Sequence, residues 1–594
     1  IALAFDDLKP LKRWLREYET LRRRHPRCPK LALRFKALAL AGSVMSVVEP
    51  LNPRLKRLIW VCEAGVRLIP LKTPRQAMFA YLTFHYASTG RIARLHTLAR
   101  HLLPTLNDDA LPGPLRLLAH SMVGLHLLMA GDTEAEQRLD DAVDLSMRLE
   151  DGVFRSTPRA YRLYCDAMAG RLAQARAGLA EFHALIRPGH RMDVSHHDFI
   201  AAWLSALEGQ SHRALEESEM SKSLSRQLGF DFGVALNASL RAQLFAGVRE
   251  FSAAGTELLE LDVLTVSSGS HLIQVMHGYA AAWLDHCRGE PEACRQRLRQ
   301  CIALADAEGI LAYPGFLRPV MAELMKVAVD ADIHRSYSSK LVGRWRLVPH
   351  SLSQLDLDWP WFVRITTLGR LTVTRLDEEI ALQGRTLELL QAILSLGGHD
   401  VPKSRLCDVL WPEAEGDKAH HALDNLVHRL RRQIGHEMIT MRSGRIDLNE
   451  ACCWVDYWAL DALFEDRHAD EPIPPLQAAG ILARLYAGEF LSGDDSGRAL
   501  SIRERLRSRF VRLSVDIGGR LDDSAAALDH WEHALAVEPY SETLYHRLMQ
   551  YHLERGHPGE ALRVYHRCRQ ALRHHLGVEP GEAVEALAAA LLAL

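Results

Sequence analysis

Residues 417–434 read DKAHHALDNLVHRLRRQI, and apolar residues recur there at every third or fourth position. This period places them on one face of an α-helix that packs against a core. The apolar positions are Leu423, Leu426, Val427, Leu430 and Ile434. Asp417 can accept hydrogen bonds from the free N–H groups of the first turn, so the stretch predicts an amphipathic helix that begins at this residue.

The chain next to this helix predicts a helix-turn-helix with a wing. A shorter helical stretch occupies residues 402–410, and a loop at 411–416 separates it from the long helix. After the long helix, residues 438–441 and 445–448 alternate in polarity around a Ser443-Gly444 turn. Alternation around a short turn that contains glycine predicts a β-hairpin.

Upstream of the two helices, the period changes from helical to alternating. Three short stretches at 363–367, 371–373 and 380–382 predict a small antiparallel sheet, and a helix is expected from Thr386. The order of sheet, helix, short helix, long helix and hairpin predicts an α+β winged helix-turn-helix domain over residues 361–453.

The polar face of the long helix carries the groups that DNA binding needs. Phosphates need fixed cations, and base edges in the major groove need forked or amide donors. Six Lys and Arg residues stand against two acidic residues between positions 418 and 446, a local charge of +4. We expect backbone or minor-groove contacts from Lys418, Arg431, Arg432, Arg442 and Arg445, and base contacts from His421, Asn425, His428 and Arg429.

Such a face on an isolated helix is usually only solvated. The short helix before it and the basic hairpin after it favour DNA contact here.

Residues 1–345 show almost no strand pattern and predict an α-solenoid of helical hairpins. Glycines that would end one helix before the next recur at separations of 38 to 42 residues: Gly90, Gly131, Gly170, Gly209, Gly247 and Gly289. Glycine adopts the left-handed helix C-cap without a steric penalty. We expect about six hairpins that bind an effector or a partner protein. A domain boundary is predicted between Ser336 and Pro360.

Residues 454–594 predict a second helical-repeat domain, similar to tetratricopeptide repeats. Small and aromatic residues recur there with a period of 34: Ala527, Trp531 and Ala534, then Ala561, Tyr565 and Cys568. The arginine-rich helix at 498–512 in this region is interpreted as a solvated face, with a phosphate or polymerase contact as the alternative.

Sequence strings in both C-terminal domains carry a family resemblance. Those in the first domain are VRITTLG (363–369), LWPEAEGD (410–417), LVHRLRRQIG (426–435) and CWVD (453–456). Those in the second are LYAGEFL (485–491), EP (538–539), GEALRVYHRCR (559–569) and LGVEP (576–580). The first set resembles an OmpR/PhoB-type winged helix, and the second resembles the bacterial transcriptional activator domain. Together they resemble the SARP/AfsR-like transcriptional regulators over residues 361–594. The N-terminal repeats are similar in type to those of MalT-like regulators.

The resemblance implies activation of transcription from repeated promoter elements in double-stranded DNA. It implies that the activator domain supports a homodimer on DNA or recruits RNA polymerase. The DNA-reading positions of the family fall on the outward face of helix 417–434. The loop between the two DNA-binding helices can touch polymerase in this family, which makes Glu413 and Glu415 the candidate contacts.

The whole chain has ordinary globular composition, with 72 Lys and Arg residues against 74 Asp and Glu residues. This balance excludes a chain-wide polycation and leaves only local basic surfaces for nucleic acid. No signal peptide or membrane-spanning stretch is recognisable, and ten cysteines lack a CxxC pair. We expect a cytoplasmic bacterial protein without a membrane partner. Because the first residue is Ile1, we also expect a piece of a longer chain.

No motif predicts catalysis. The sequence lacks a phosphate-binding GxxxxGK[ST] loop, a GxSxG elbow and an HExxH zinc motif. Cys452 and Cys453 are adjacent without nearby ligand partners, so we expect no metal, no cofactor and no enzyme activity.

Two other interpretations remain open. The chain could be a scaffold whose repeats and winged helix all dock proteins, and salt dependence would distinguish this from DNA binding. It could also be the output half of an ATP-driven switch whose nucleotide domain precedes Ile1.

Overall fold

The computed structural model describes residues 10–25, 37–39, 41–42, 44–46, 50, 52–68, 72–102, 113–149, 155–376, 378–413, 416–522 and 524–592. The chain divides into two compact units, Ile1–His350 and Ser351–Leu594. Helices dominate both units, which confirms the predicted mainly α fold class. Among the described residues, no helix combines the length and the apolar character needed to cross a bilayer.

In the first unit, consecutive helices pack against each other as hairpins. The helices are α1 (Leu11–Arg24), α2 (Pro53–Leu68), α3 (Lys72–Thr89), α4 (Ile92–Leu102), α5 (Gly113–Met129), α6 (Ala135–Arg148), α7 (Thr157–Met168), α8 (Leu172–Leu185), α9 (Arg191–Leu207), α10 (Ser211–Leu228), α11 (Asp231–Gly247), α12 (Phe251–Ser268), α13 (His271–Arg288), α14 (Pro291–Glu308), α15 (Arg318–Asp330) and α16 (Arg335–Trp345).

Residues in the left-handed backbone conformation end the first helix of the hairpins, as the glycine spacing predicts. Five of the six expected glycines have φ between +68° and +79°: Gly90, Gly131, Gly170, Gly209 and Gly289. The prediction for Gly247 is wrong, because α11 extends through this residue. Arg249, with φ of +65°, takes the left-handed position there. It lies 40 residues from both Gly209 and Gly289, so the structural period is more regular than the glycine pattern.

A second glycine series, missed in the sequence, ends the second helices of the later hairpins. Gly229, Gly269 and Gly309 follow α10, α12 and α14 with φ of +71°, +62° and +71°. They too recur every 40 residues. Both series have a spacing of about 40 residues, which is therefore the length of one helical hairpin repeat.

Residues 310–317 form an irregular segment that is buried throughout its length inside the first unit. The N–H of Leu311 donates to the carbonyl of Met129 at 2.7 Å. The indole N–H of Trp203 donates to the carbonyl of Phe316 at 3.1 Å. Buried backbone polar groups need such partners, so these bonds fix the segment against helices that are distant in sequence. The repeats therefore close around a part of their own chain.

The second unit begins with two small sheets and three helices. These elements are β1 (Val363–Thr366), β2 (Thr372–Arg375), β3 (Glu378–Glu379), α17 (Gly384–Ser395), β4 (Val401–Pro402), α18 (Lys403–Leu410), α19 (Gly416–Ile434), β5 (Ile439–Arg442), β6 (Arg445–Leu448) and β7 (Cys453–Val455). The strand orders are β3-β2-β1-β7 and β4-β6-β5. Two pairings were not anticipated: β7 lies parallel to β1, and β4 pairs with β6.

The third predicted strand, at 380–382, is wrong. The chain turns back immediately after Arg375, which pairs with Glu378, so β3 occupies Glu378–Glu379. Leu376, directly after Arg375, takes a φ of +50° where the chain reverses.

The rest of the second unit is helical. Its helices are α20 (Asp456–Asp466), α21 (Pro475–Leu485), α22 (Gly497–Arg520), α23 (Ser524–Val537), α24 (Glu542–Glu554), α25 (Pro558–Leu576) and α26 (Glu582–Leu592). The six residues that predicted the repeat are all buried, with Trp531 only 1% exposed. The division of the second unit near residue 453 stays a prediction.

Candidate nucleic-acid interface

Helix α19 is positioned by its apolar stripe. Leu423, Leu430 and Ile434 are fully buried, and the helix packs against α17 and α18. It begins at Gly416, one residue before the predicted start, and ends at the predicted Ile434. Burial of this stripe fixes which side of the helix faces solvent.

The outer side of α19 presents six polar side chains, all of them exposed: Lys418, His421, Asn425, His428, Arg429 and Arg432. We call this set the recognition face. At 3.6 residues per turn its members lie within an arc of about 100°, opposite the buried stripe. The structure therefore brings six of the predicted site residues together on one continuous surface.

Arg431 lies apart from the recognition face. Its guanidinium donates from Nε and from one terminal nitrogen to the carbonyl of Ile439, at 3.0 and 2.7 Å. The side chain is only partly exposed. These bonds join the end of α19 to the start of the wing, so Arg431 positions the wing.

Side-chain contacts also join α18 to α19. The Lys403 ammonium pairs with the Asp424 carboxylate at 2.6 Å. The Cys407 thiol lies 3.8 Å from Nδ1 of His420. This ion pair links the start of α18 to the middle of α19, and its two opposite charges add no net charge to the surface.

The wing is a tight hairpin between β5 and β6. Ser443 and Gly444 have φ of +49° and +75°, and positive φ at both central residues defines a type I′ turn. The carbonyl of Gly444 accepts a hydrogen bond from the N–H of Lys403 at 3.0 Å, which holds the wing tip against the start of α18. Together with the pairing of β4 and β6, this bond connects the wing tip to the helix-turn-helix.

The two wing arginines have different surroundings. Arg442 and Arg445 are both exposed and face each other across the turn. Arg445 pairs with the Asp400 carboxylate at 2.6 Å and also donates to the Asp400 carbonyl at 2.9 Å. Part of the charge of Arg445 is thus neutralised, whereas Arg442 extends the basic surface at the tip.

The loop before α19 is only partly described. Glu413 is exposed at its beginning. Glu415, the second candidate polymerase contact, lies outside the described residues. His436, missed in the sequence, lies with its ring centroid 5.9 Å from that of His428. Gly435, with φ of +117°, reverses the chain directly after the helix and brings His436 to this position.

Comparison with known proteins places these observations in context. The family model described as "Bacterial transcriptional activator domain" matches residues 463–592. The "Regulatory protein AfsR" of Streptomyces griseus is 26% identical over 227 residues, which cover 37% of this chain and 23% of that protein. The predicted resemblance to the bacterial transcriptional activator domain and to the SARP/AfsR-like regulators is confirmed. The chain thus spans about a quarter of the length of this SARP relative.

Two solved structures are also similar. "Mycobacterium tuberculosis EmbR in complex with low affinity phosphopeptide" is 21% identical, with 39% of this chain and 65% of that chain covered and a TM-score of 0.30. "Rap Protein Complexed with Competence and Sporulation Factor" is 9% identical, with 74% and 99% covered and a TM-score of 0.32.

Helices α20 to α26, which the family model covers from residue 463 onward, are called the activator helices below, and three arginines of α22 link parts of this region. Arg503 donates to the carbonyl of Phe490 at 3.2 Å. Arg507 pairs with Glu538 at 2.9 Å, and Arg509 pairs with Asp461. The interpretation of this helix as a solvated face is wrong for these three arginines.

Asp456 joins the SARP-like winged helix to the activator helices. Its carboxylate is buried at the start of α20 and accepts hydrogen bonds from the N–H groups of Thr367, Leu368 and Tyr457 at 2.5, 2.7 and 2.8 Å. The Thr367 hydroxyl donates to it at 2.6 Å. Burial raises the pKa of Asp456 to about 6, against the opposing effect of these donors.

Proposed function

We propose that this protein is a sequence-specific DNA-binding regulator that activates transcription. The observation that carries the proposal is the recognition face: six exposed polar side chains in one arc, on a helix that packs against its own core and lies beside a basic wing. Such a helix fits the major groove of B-DNA, which is about 12 Å wide.

The recognition face supplies two kinds of contact. Lys418 and Arg432 would bind backbone phosphates and set the register of the helix on the duplex. Arg429 and Asn425 carry the donors that pair with guanine and adenine edges, and His421 and His428 lie beside them on the same face. The mixture of cations and uncharged donors is what distinguishes a reading surface from a simple polycation.

The wing would contact the neighbouring minor groove. Arg442 at the tip is the cation best placed for this contact, because Asp400 already holds Arg445. Arginine inserts favourably into a narrow minor groove, where the negative potential is strongest. The hydrogen bond from Lys403 to Gly444 couples this contact to the position of α18.

The match at residues 463–592 supports the activating role. The activator helices would contact RNA polymerase or a second copy of the chain on repeated promoter sites. The exposed Glu413 in the loop before α19 is the acidic contact proposed for polymerase.

The test is selection of bound duplexes from a random pool, followed by titration of the selected site with the full chain. Arg429→Ala should weaken binding to the selected site by about 1–3 kcal/mol, or roughly 5- to 150-fold, if Arg429 reads a base. Arg563→Ala removes an equally charged side chain that is exposed on α25, and serves as the matched control. Failure to enrich any sequence would contradict specific recognition, and equal effects of the two variants would remove Arg429 from the base-reading set.

A further inference from the structure

A cavity of about 360 Å³ lies inside the first unit. Helices from early repeats form one wall, with Phe84 of α3 and Met122 of α5. Later repeats form the opposite wall, with Phe232 of α11 and Leu264 of α12, and Pro314 of the buried segment 310–317 completes it. Residues distant in sequence therefore meet around one partly open pocket.

The chemistry of the lining is apolar, with hydroxyl groups between the apolar side chains. Tyr161 and Phe230 add aromatic surface, and Ser88 and Ser268 add hydroxyls. Among the described lining residues, Asp231 is the one that carries a formal charge, and it lies exposed at the rim. This lining favours an uncharged ligand and disfavours an anion.

The size of the available space favours a small molecule over a peptide. The segment 310–317 already occupies the interior that the repeats enclose, and its backbone is bonded to Met129 and to Trp203. An extended peptide could enter this interior only by displacing a buried segment. The remaining cavity has the volume typical of sites for compact organic ligands, about 300–1,000 Å³.

We propose that this cavity binds an uncharged, mainly aromatic or aliphatic small molecule with hydrogen-bonding groups at its edge. The two walls already meet at the cavity, where the Ser270 hydroxyl donates to the carbonyl of Ser88 at 3.1 Å. The ligand would contact both walls near this hydrogen bond. Binding therefore stabilises the closed arrangement of early and late repeats. The cavity is the site for the small effector that such a helical-repeat unit would sense.

The test uses two dyes with one skeleton and different charge: neutral N-phenyl-1-naphthylamine and its anionic 8-sulfonate. With the full chain, the neutral dye should bind saturably at one site, raise the midpoint of thermal unfolding, and bind at least tenfold more tightly than the sulfonate. Leu264→Trp fills the cavity and should weaken neutral-dye binding at least tenfold. Val263→Trp changes the neighbouring position on α12, which is 65% exposed, and should alter the affinity for the neutral dye less than twofold.

Ser88→Phe fills the cavity from the opposite wall and should have the same effect as Leu264→Trp, so misfolding of one variant leaves the test intact. Circular dichroism shows which variants retain the helical fold. Non-saturable binding, equal affinity for both dyes, or unchanged affinity in folded Leu264→Trp and Ser88→Phe proteins would each overturn the proposal.

Discussion

The dependence of DNA affinity on salt is the most direct quantitative consequence of the proposed interface. Two cations on α19 and one on the wing are exposed where phosphates would lie: Lys418, Arg432 and Arg442. Neutralising about three phosphates gives a slope of about −2.7 for the logarithm of the binding constant against the logarithm of salt concentration. Affinity should therefore fall about 40-fold between 50 and 200 mM salt for one bound protomer.

Removing one of these cations should change the slope by a defined amount. Arg432→Ala should reduce the slope by about 0.9, to about −1.8, because one fewer counterion is released. Gln433→Ala alters the adjacent exposed residue without changing charge, and should leave the slope unchanged. Because the phosphate contribution does not depend on base sequence, fluorescence anisotropy with any labelled duplex of about 25 base pairs is a sufficient assay.

The outcome also separates DNA binding from the scaffold interpretation. A slope near zero, or an equal slope in Arg432→Ala and wild type, would refute phosphate contact by the recognition face. A slope about twice the expected value would show two protomers on one duplex and support the proposed homodimer.

Two further predictions concern stability, measured by urea unfolding. Asp456 has a pKa of about 6 in the folded chain against 3.8 for the free side chain, so the folded state binds more protons between these values and loses stability as pH rises. Relative to Asp456→Asn, the wild type should lose about 1.4 kcal/mol of unfolding free energy between pH 5 and pH 7.5. If the difference between the two proteins stays constant with pH, the raised pKa is contradicted. In α22, a Cβ at Gly518 would lie 2.2 Å from Nε1 of the buried Trp531, so Gly518→Ala should destabilise the chain by about 1–3 kcal/mol. A Cβ at the neighbouring Gly519 meets only Arg547 at 4.0 Å, so Gly519→Ala should stabilise it by about 0.5–1 kcal/mol, and equal effects at the two positions would contradict the packing argument.

The elements that could be predicted from the sequence are those with a strong local period. The stripe from Leu423 to Ile434 gave the limits of α19 to within one residue, because a buried helix face leaves a 3.6-residue pattern. The turn at Ser443-Gly444 was equally predictable, since residues that tolerate positive φ favour a two-residue hairpin. Both signals depend on neighbouring residues alone.

The elements that were missed depend on contacts between distant residues. Strand β4 has two residues, and only its pairing with β6 makes it a strand. The same holds for Arg431, whose role is set by the carbonyl of Ile439 across a turn. Segment 310–317 is apolar without a helical or alternating period, so its place inside the repeats follows from tertiary packing. Sequence periodicity carries no information about such contacts.

Charge counting alone would have favoured α22 over α19 as the proposed DNA-binding surface. Helix α22 is richer in arginine than α19, but Arg503, Arg507 and Arg509 contact carbonyls or carboxylates of other elements and help to hold the activator helices together. On α19, Arg429 and Arg432 are exposed on the same arc as Asn425. A cation already paired within the fold must break that pair before it can bind a phosphate, whereas an exposed cation exchanges only water and counterions. The position of each charge relative to its own fold, rather than the number of charges, is therefore the physical reason for assigning DNA binding to α19.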